Sequence, residues 1–191
     1  SHLGKSNLNA TAKLTPKSKM LDAALTLDSL NIKYAEPFLT DVFSEMEGYV
    51  SGDIIAEGPV NLLEIKSSGT RLDKAMLKVA FTNVPYYADG SFHIDDTGVW
   101  FDDISIRDRY NGTGTVEGSI NWSQFKDITF DTRIKVNEIE GINLTERQND
   151  TFYGNLFATG NIAITGPVSA LTMNIDAVTA KPGELHIPVT G

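Results

Sequence analysis

Cysteine is absent from the 191 residues. That excludes a disulfide framework and any thiolate nucleophile or thiolate metal site, and it leaves the redox compartment open. Histidine is scarce, and His2, His93 and His186 lie too far apart in sequence to form a local metal-binding pair. Positive charge is in the minority: Lys plus Arg is 16, Asp plus Glu is 25, and the net charge is −9. A nucleic-acid binder needs clustered cations facing phosphates, so that class is excluded, as is docking on an anionic lipid surface by charge alone. No run approaches the roughly 18 apolar residues of a bilayer-spanning helix. No secretory leader pattern is visible. Ser1-His2-Leu3-Gly4 reads as an appended remnant, and the chain stops abruptly after Pro188-Val189-Thr190-Gly191. The expectation is therefore a piece of a longer protein, with residues 1–20 a remnant plus a leading strand and 21–191 a single domain.

Hydrophobic residues make up 41% of the chain, enough for a folded core, and most of them alternate. Leu21, Ala23, Leu25 and Leu27 sit two apart, as do Val50, Ile54 and Ala56 with the glycines between them. Leu77, Val79 and Phe81 repeat the spacing, followed by Phe92 with Ile94 and Ile104 with Ile106. Val116 and Ile120 continue it, then Ile128, Phe130, Ile134 and Val136, then Ala158, Ile162 and Ile164, then Leu171, Met173, Ile175 and Ala177. A period of two sends one set of side chains to one sheet face and the other set to the opposite face. One greasy face and one wet face are the mark of antiparallel pairing. Ser68-Gly69, Asp89-Gly90 and Asn111-Gly112 read as turn signals between the runs. The runs recur every dozen or so residues, which predicts a mainly β chain with a long meander of about ten to thirteen strands.

One segment has a different period. Phe38, Leu39, Val42, Phe43 and Met46 fall on one stripe of an α-helix near 36–46. Pro37 suits its first turn and Gly48 its end. Such a short amphipathic helix must lay its stripe on an apolar surface, either as a plug at the open end of the sheet or as a connector packed on the core.

The sequence also echoes itself. Residues 48–60 and 156–168 align at an offset of 108, with Gly52 and Gly160, then Gly58 and Gly166, then Pro-Val, at matching places. Residues 114–120 form a degenerate third copy. Recurrence of a strand-turn unit predicts a stacked, elongated architecture, and chance likeness of Gly-rich strands is the alternative. The glycines share the side of Val50, Ile54 and Ile162, where missing side-chain bulk leaves room for something to approach the backbone.

Site chemistry is thin. Gly4-Lys5-Ser6 is a fragment of a phosphate loop without its upstream glycine or its strand. Asp95-Asp96 and Asp102-Asp103 have carboxylates for a hard cation but no loop spacing that fits one. Asp102 and Asp108 could pair as acid and base. Tyr86-Tyr87 and Trp100-Phe101 could stack on sugars, although strand aromatics more often pack in the core or at an edge. Asn9, Asn111, Asn121, Asn143 and Asn149 stand in glycosylation-type triplets. These residues make no case for an enzyme, a metal or a cofactor.

Three stretches carry a family likeness. Residues 152–168, then Leu171-Thr172-Met173-Asn174-Ile175-Asp176-Ala177, then Leu185-His186-Ile187-Pro188-Val189, resemble the C-terminal signature of the TamB family, within the wider AsmA-like group. Upstream, Glu36-Pro37-Phe38-Leu39 with Val42-Phe43-Ser44, Gly48, Gly52 and Gly58 resembles the helix-then-repeat pattern of Bacteroidetes-type members, so the likeness runs over roughly residues 20–190. The resemblance implies an elongated, folded-over antiparallel sheet (a β-taco) with a hydrophobic groove, and no catalytic residues. It implies a Gram-negative parent anchored in the inner membrane, crossing the periplasm and partnering an outer-membrane BamA-like barrel. Family members are implicated in phospholipid transport and in the assembly and secretion of outer-membrane proteins.

The pattern suggests what such a groove would hold. A sheet with one apolar face and no second layer must close on itself or on a guest. A lining of glycine and branched aliphatics, drawn from the alternating residues named above, suits phospholipid acyl chains. An acyl chain of about fifteen carbons in water costs on the order of 12 kcal/mol, most of which an oily trench removes. Two other classes compete: a scaffold whose strand edge templates a client strand, and a compact extracellular β-sandwich for adhesion or glycan binding.

Overall fold

The computed structural model describes residues 7–40, 42–123, 126–167 and 169–188, with the side chains of all of these except Phe38 and Lys126. His2, the Gly4-Lys5-Ser6 fragment, Val168 and Val189 lie outside the described residues, as does the Phe38 side chain. The chain forms β1 (Asn7–Thr15), β2 (Met20–Asn31), a 3-10 helix (Ile32–Phe38), β3 (Phe43–Pro59), β4 (Glu64–Val79), β5 (Val84–Asp95) and β6 (Gly98–Arg107). It continues with β7 (Thr113–Ser123), β8 (Lys126–Leu144), β9 (Tyr153–Pro167), β10 (Thr172–Thr179) and β11 (Glu184–His186).

The strands make one eleven-stranded sheet, ordered β1 to β10 as they occur in the chain, with β11 pairing β9 beside the start of that strand. Every pairing is antiparallel. Period-two patterning and short connections leave a meander as the simplest solution. A single open sheet is not a sandwich, so the compact two-sheet alternative falls away.

The helix differs from the expectation. It covers Ile32–Phe38, is of the 3-10 type, and starts where the Asn31 side chain accepts the Lys33 N–H at 2.9 Å. Pro37 lies inside it and lacks the N–H an α-helix would use, and Glu36 before it is steered away from α geometry. Phe43 and Met46 belong to β3, where they pair with Val79 and Leu77. Leu39 and Val42 lie in the turn between helix and strand, where the Val42 N–H donates to the Leu39 carbonyl at 2.9 Å. The apolar spacing at 38, 39, 42, 43 and 46 fitted a helix, and cross-strand pairing prevailed. Gly48 ends no helix. It has φ +111°, and a Cβ there would lie 2.5 Å from the Ala75 Cα, so only glycine lets β3 and β4 approach.

Two of the three turn signals lie inside strands. Asn111-Gly112 does make the β6–β7 turn, but Ser68-Gly69 lies at a bulge within β4, and Asp89-Gly90 lies within β5 opposite an extra residue of β4. The same left-handed backbone that turns a hairpin accommodates an extra residue in a strand. The echo is structural. A Cβ at Gly58 would meet the Leu62 carbonyl at 3.2 Å, and one at Gly166 would meet the Ala170 carbonyl at 3.1 Å, in matching turns after β3 and β9. Gly52 and Gly160 each lie against the next strand's backbone, Thr70 and Asp176–Ala177 respectively. The room they leave is thus taken by a neighbouring strand and not by a guest.

Buried apolar residues gather at the end of the sheet holding the β4–β5 and β8–β9 turns. Ile32 of the helix, Met46, Ala75 and Ala88 form the central cluster, and Val84, Ile139, Leu144 and Phe157 are buried near the same end. Here β5 and β8, three places apart in the sheet, are joined. The β6–β7 hairpin stops at Arg107 and Thr113, so β8 beyond Asn137 has no β7 partner. The β4–β5 turn takes that place. The Asn143 N–H donates to the Thr82 carbonyl at 3.0 Å, the Asn83 amide to the Asn143 carbonyl at 2.9 Å, and the Tyr86 hydroxyl to the Glu140 carbonyl at 2.8 Å.

Candidate apolar binding face

Residues opposite one another in an antiparallel ladder share a face, as do residues two apart in a strand. Following the register strand by strand therefore assembles each face. One row runs Leu30, Val50, Leu72, Gly90, Ile104, Val116, Ile134, Ile162, Ile175 across β2 to β10. The next runs Ala75, Ala88, Ile106, Gly114, Val136, Gly160, Ala177 across β4 to β10. On the other side of the first row, Phe92, Phe101, Gly118, Thr132, Ile164 and Met173 align, and beyond them Ile94, Val99, Ile120 and Phe130. β1 and β2 extend the surface with Leu8 against Leu27, Ala12 against Ala23 and Leu14 against Leu21, and Ala23 leads on to Ala56 of β3. Leu25 likewise leads to Ile54. Leu77, Val79 and Ala158 occupy the same face nearer the joined end.

The register thus brings the alternating residues onto one face, apart from Phe81 and Leu171. Phe81 lies in the β4–β5 turn, 60% exposed, with its ring 5.4 Å from that of Phe152. Leu171 immediately precedes β10. The face has little cover. Beyond neighbouring strands, the substantial contacts are the 3-10 helix on β3 and β5 on β8, both at the joined end. At the far edges the apolar side chains stand in solvent: Leu8 is 54% exposed, Leu14 55%, Met173 50% and Ile175 63%.

The opposite face is polar. The Thr26 hydroxyl donates to Asp53, and Glu117 stands across from Arg133. His93 stacks on Trp100 with ring centres 6.1 Å apart, and its Nδ1 lies 2.7 Å from Asp102. Asp102 and Asp108 do not pair, because Asp108 is buried and accepts the Tyr110, Gly112 and Glu140 N–H groups. Asp95 organises the β5–β6 turn by accepting from Thr97 and Gly98. Burial alone would raise its pKa, but those hydrogen bonds outweigh it and hold the carboxylate below its usual range. Among the described residues no group of three His, Asp or Glu could hold a metal. A cleft of about 280 Å³ on this face includes Lys78 and Arg109, both already ion-paired, with Glu45 and Glu140.

Reasoning on the sequence missed the polar knot behind that cleft. Glu140 is fully buried and receives Arg109 Nη2 at 2.8 Å, Arg109 Nε at 3.0 Å and the Asn155 amide at 2.7 Å. The bond to Glu140 raises the Arg109 pKa above its ordinary value. Burial likewise pushes the Tyr86 phenol well above its ordinary range. Asn111-Gly112, the turn that carries Asp108 and Arg109 past β8, marked the place, while Tyr86, Asp108 and Asn143 were singled out for other chemistry.

No curated protein and no solved structure matches the chain. A family model does match: that of the TamB C-terminal domain, over residues 102–189, from within β6 through β11. The upstream helix-and-repeat motif lies outside the matched span. Residues 102–189 are thus similar to the TamB C-terminal domain.

Proposed function

We propose that the apolar face carries phospholipid acyl chains, within an envelope protein of the TamB kind, and that the chain acts without catalysis. The observation that supports it most is the unbroken apolar row from Leu30 to Ile175, backed by no second layer and only partly withdrawn from solvent. Side chains such as Val116, Ile134 and Ile162 offer no hydrogen-bonding group, so an alkyl chain loses nothing by moving along them. Each buried CH₂ contributes roughly 0.8 kcal/mol, much as it does in a bilayer, so the face holds lipid without trapping it. Headgroups remain in water beside it. The TamB likeness supports the same reading, since it implies an envelope protein working between two membranes of a Gram-negative cell, with the periplasm as its place and a BamA-like barrel as the parent's partner.

The test puts a charge on the row. Ile162→Arg should abolish photo-crosslinking to phospholipid while circular dichroism stays unchanged, and Ile54→Glu should do the same on β3. Undiminished crosslinking in a folded Ile162→Arg protein defeats the proposal. The TamB likeness also supports a second reading, a scaffold whose strand edge templates client strands. That reading predicts normal lipid crosslinking in the wild type only by accident, and loss of client insertion when a proline enters β1.

A further inference from the structure

We propose that Asn111 is a self-modification site, which converts to aspartate and isoaspartate through a succinimide, and that the buried Asp108 carboxylate holds this reaction back in the folded protein. No lipid takes part, so the inference stands apart from the lipid reading.

The chemistry is local. Asn111-Gly112 is the one Asn-Gly step in the 191 residues. Glycine has no Cβ to shield its backbone nitrogen, and that nitrogen can reach the asparagine side-chain carbonyl carbon to close a five-membered ring. The new N–C bond forms, the Gly112 N–H gives up its proton, and the Asn111 side-chain nitrogen leaves as ammonia. Water then opens the ring at either carbonyl. One opening leaves aspartate. The other leaves isoaspartate, with one extra carbon in the main chain. Each conversion takes up one water and releases one ammonia, with no oxidant or cofactor. Asparagine is a thermolabile residue partly on this account.

The structure supplies both the exposure and the restraint. Asn111 is exposed in the β6–β7 turn with φ +68°, so water reaches its amide. Gly112 beside it is buried, and its N–H donates to Asp108 Oδ1 at 2.7 Å. The Gly112 carbonyl accepts the Asp108 N–H at 3.0 Å, so the glycine is held from both sides. Asp108 is itself fixed. It is 5% exposed and also accepts the Tyr110 N–H at 2.7 Å and the Glu140 N–H at 2.6 Å. The attacking species is the deprotonated Gly112 nitrogen, and a second negative charge at hydrogen-bond distance from a carboxylate is disfavoured. The reaction therefore waits until Gly112 leaves Asp108, which is a local opening of the joined end. Isoaspartate lengthens the turn and moves Gly112 out of step with Asp108, so the modification makes that opening permanent.

The test follows the modification by peptide mass spectrometry, as amide-to-acid exchange at Asn111 in mildly alkaline buffer. The folded 191-residue protein should react at least about tenfold more slowly than the same protein in urea. Asp108→Asn, with circular dichroism unchanged, should recover most of that difference. Native-state hydrogen exchange gives a second measure that needs no variant: the Gly112 amide should be the slowest to exchange in the 109–113 turn. The isoaspartate form, isolated by anion exchange, should unfold at lower urea concentration than the unmodified form. Equal rates in buffer and in urea overturn the proposal, as does a folded Asp108→Asn protein that reacts no faster. A freely exchanging Gly112 amide also overturns it, and equal unfolding midpoints overturn the link to the joined end.

Discussion

Glu140 and Ile175 lie in the same sheet, and their surroundings are inverted. Glu140 is a charged residue with no exposure, held by Arg109 and Asn155, while Ile175 is aliphatic and 63% exposed. At the joined end, β5 reaches β8 and the 3-10 helix covers Met46 and Ala75, so polar groups are enclosed and must find partners within the protein. Along the β10 margin no described element lies over the sheet, so apolar groups stay in contact with water. Burial in this protein follows from where a second element lies across the sheet, and residue type alone does not predict it. The joined end anchors the fold, and the uncovered face is left available for work.

That contrast can be broken from the anchored side. Glu140→Ala should have the largest effect, about 2–4 kcal/mol in denaturant unfolding, because the part-exposed Arg109 and the Asn155 amide lose three hydrogen bonds and the buried site loses its side chain. A loss under about 1 kcal/mol would mean that the joined end is not an anchor. Gly48→Ala should follow at about 2 kcal/mol, since it forces a Cβ against Ala75 at a positive φ. The same change at Gly69, where a Cβ would meet nothing within 4 Å, should cost less despite its φ of +63°. Calorimetry of the pair separates crowding from backbone strain.

Tyr86→Phe should cost about 1–2 kcal/mol, because the Glu140 carbonyl loses its buried donor. It also carries a pH signature. The folded pKa of Tyr86 is raised, first by burial, so the stability it confers is complete below about pH 10, where unfolded tyrosine begins to ionise, and falls as pH rises further. Urea titrations at pH 8 and pH 11 should show the wild type losing stability more steeply than Tyr86→Phe. The smallest effect belongs to the exposed side. Ile175→Ser should alter stability by less than about 0.5 kcal/mol while reducing lipid crosslinking at β10. A large destabilisation there would show that the β10 margin is covered in solution and would erase the contrast.

The strand meander was legible because its alternation is long and repeated, and no other regular structure satisfies a period of two over so many segments. The face shared by Val50, Ile104, Val116, Ile134 and Ile162 was legible for the same reason. The segment 38–46 was not, because five apolar residues at mixed spacing fit a helix or a turn followed by a strand, and the decision came from Val79 and Leu77 waiting in β4. Gly69 looked like a turn because a bulge and a hairpin ask for the same backbone. The Glu140 knot was invisible because its members are scattered from Tyr86 to Asn155 and share no spacing.

The sequence by itself determined the fold class, the two-faced sheet and the TamB likeness, since periodicity and local motifs are properties of neighbouring residues. Tertiary structure alone decided which end of the strands is anchored and which apolar side chains stay wet. Those outcomes depend on β5 meeting β8 over the short β6–β7 hairpin, an encounter between residues more than fifty positions apart that no local pattern encodes.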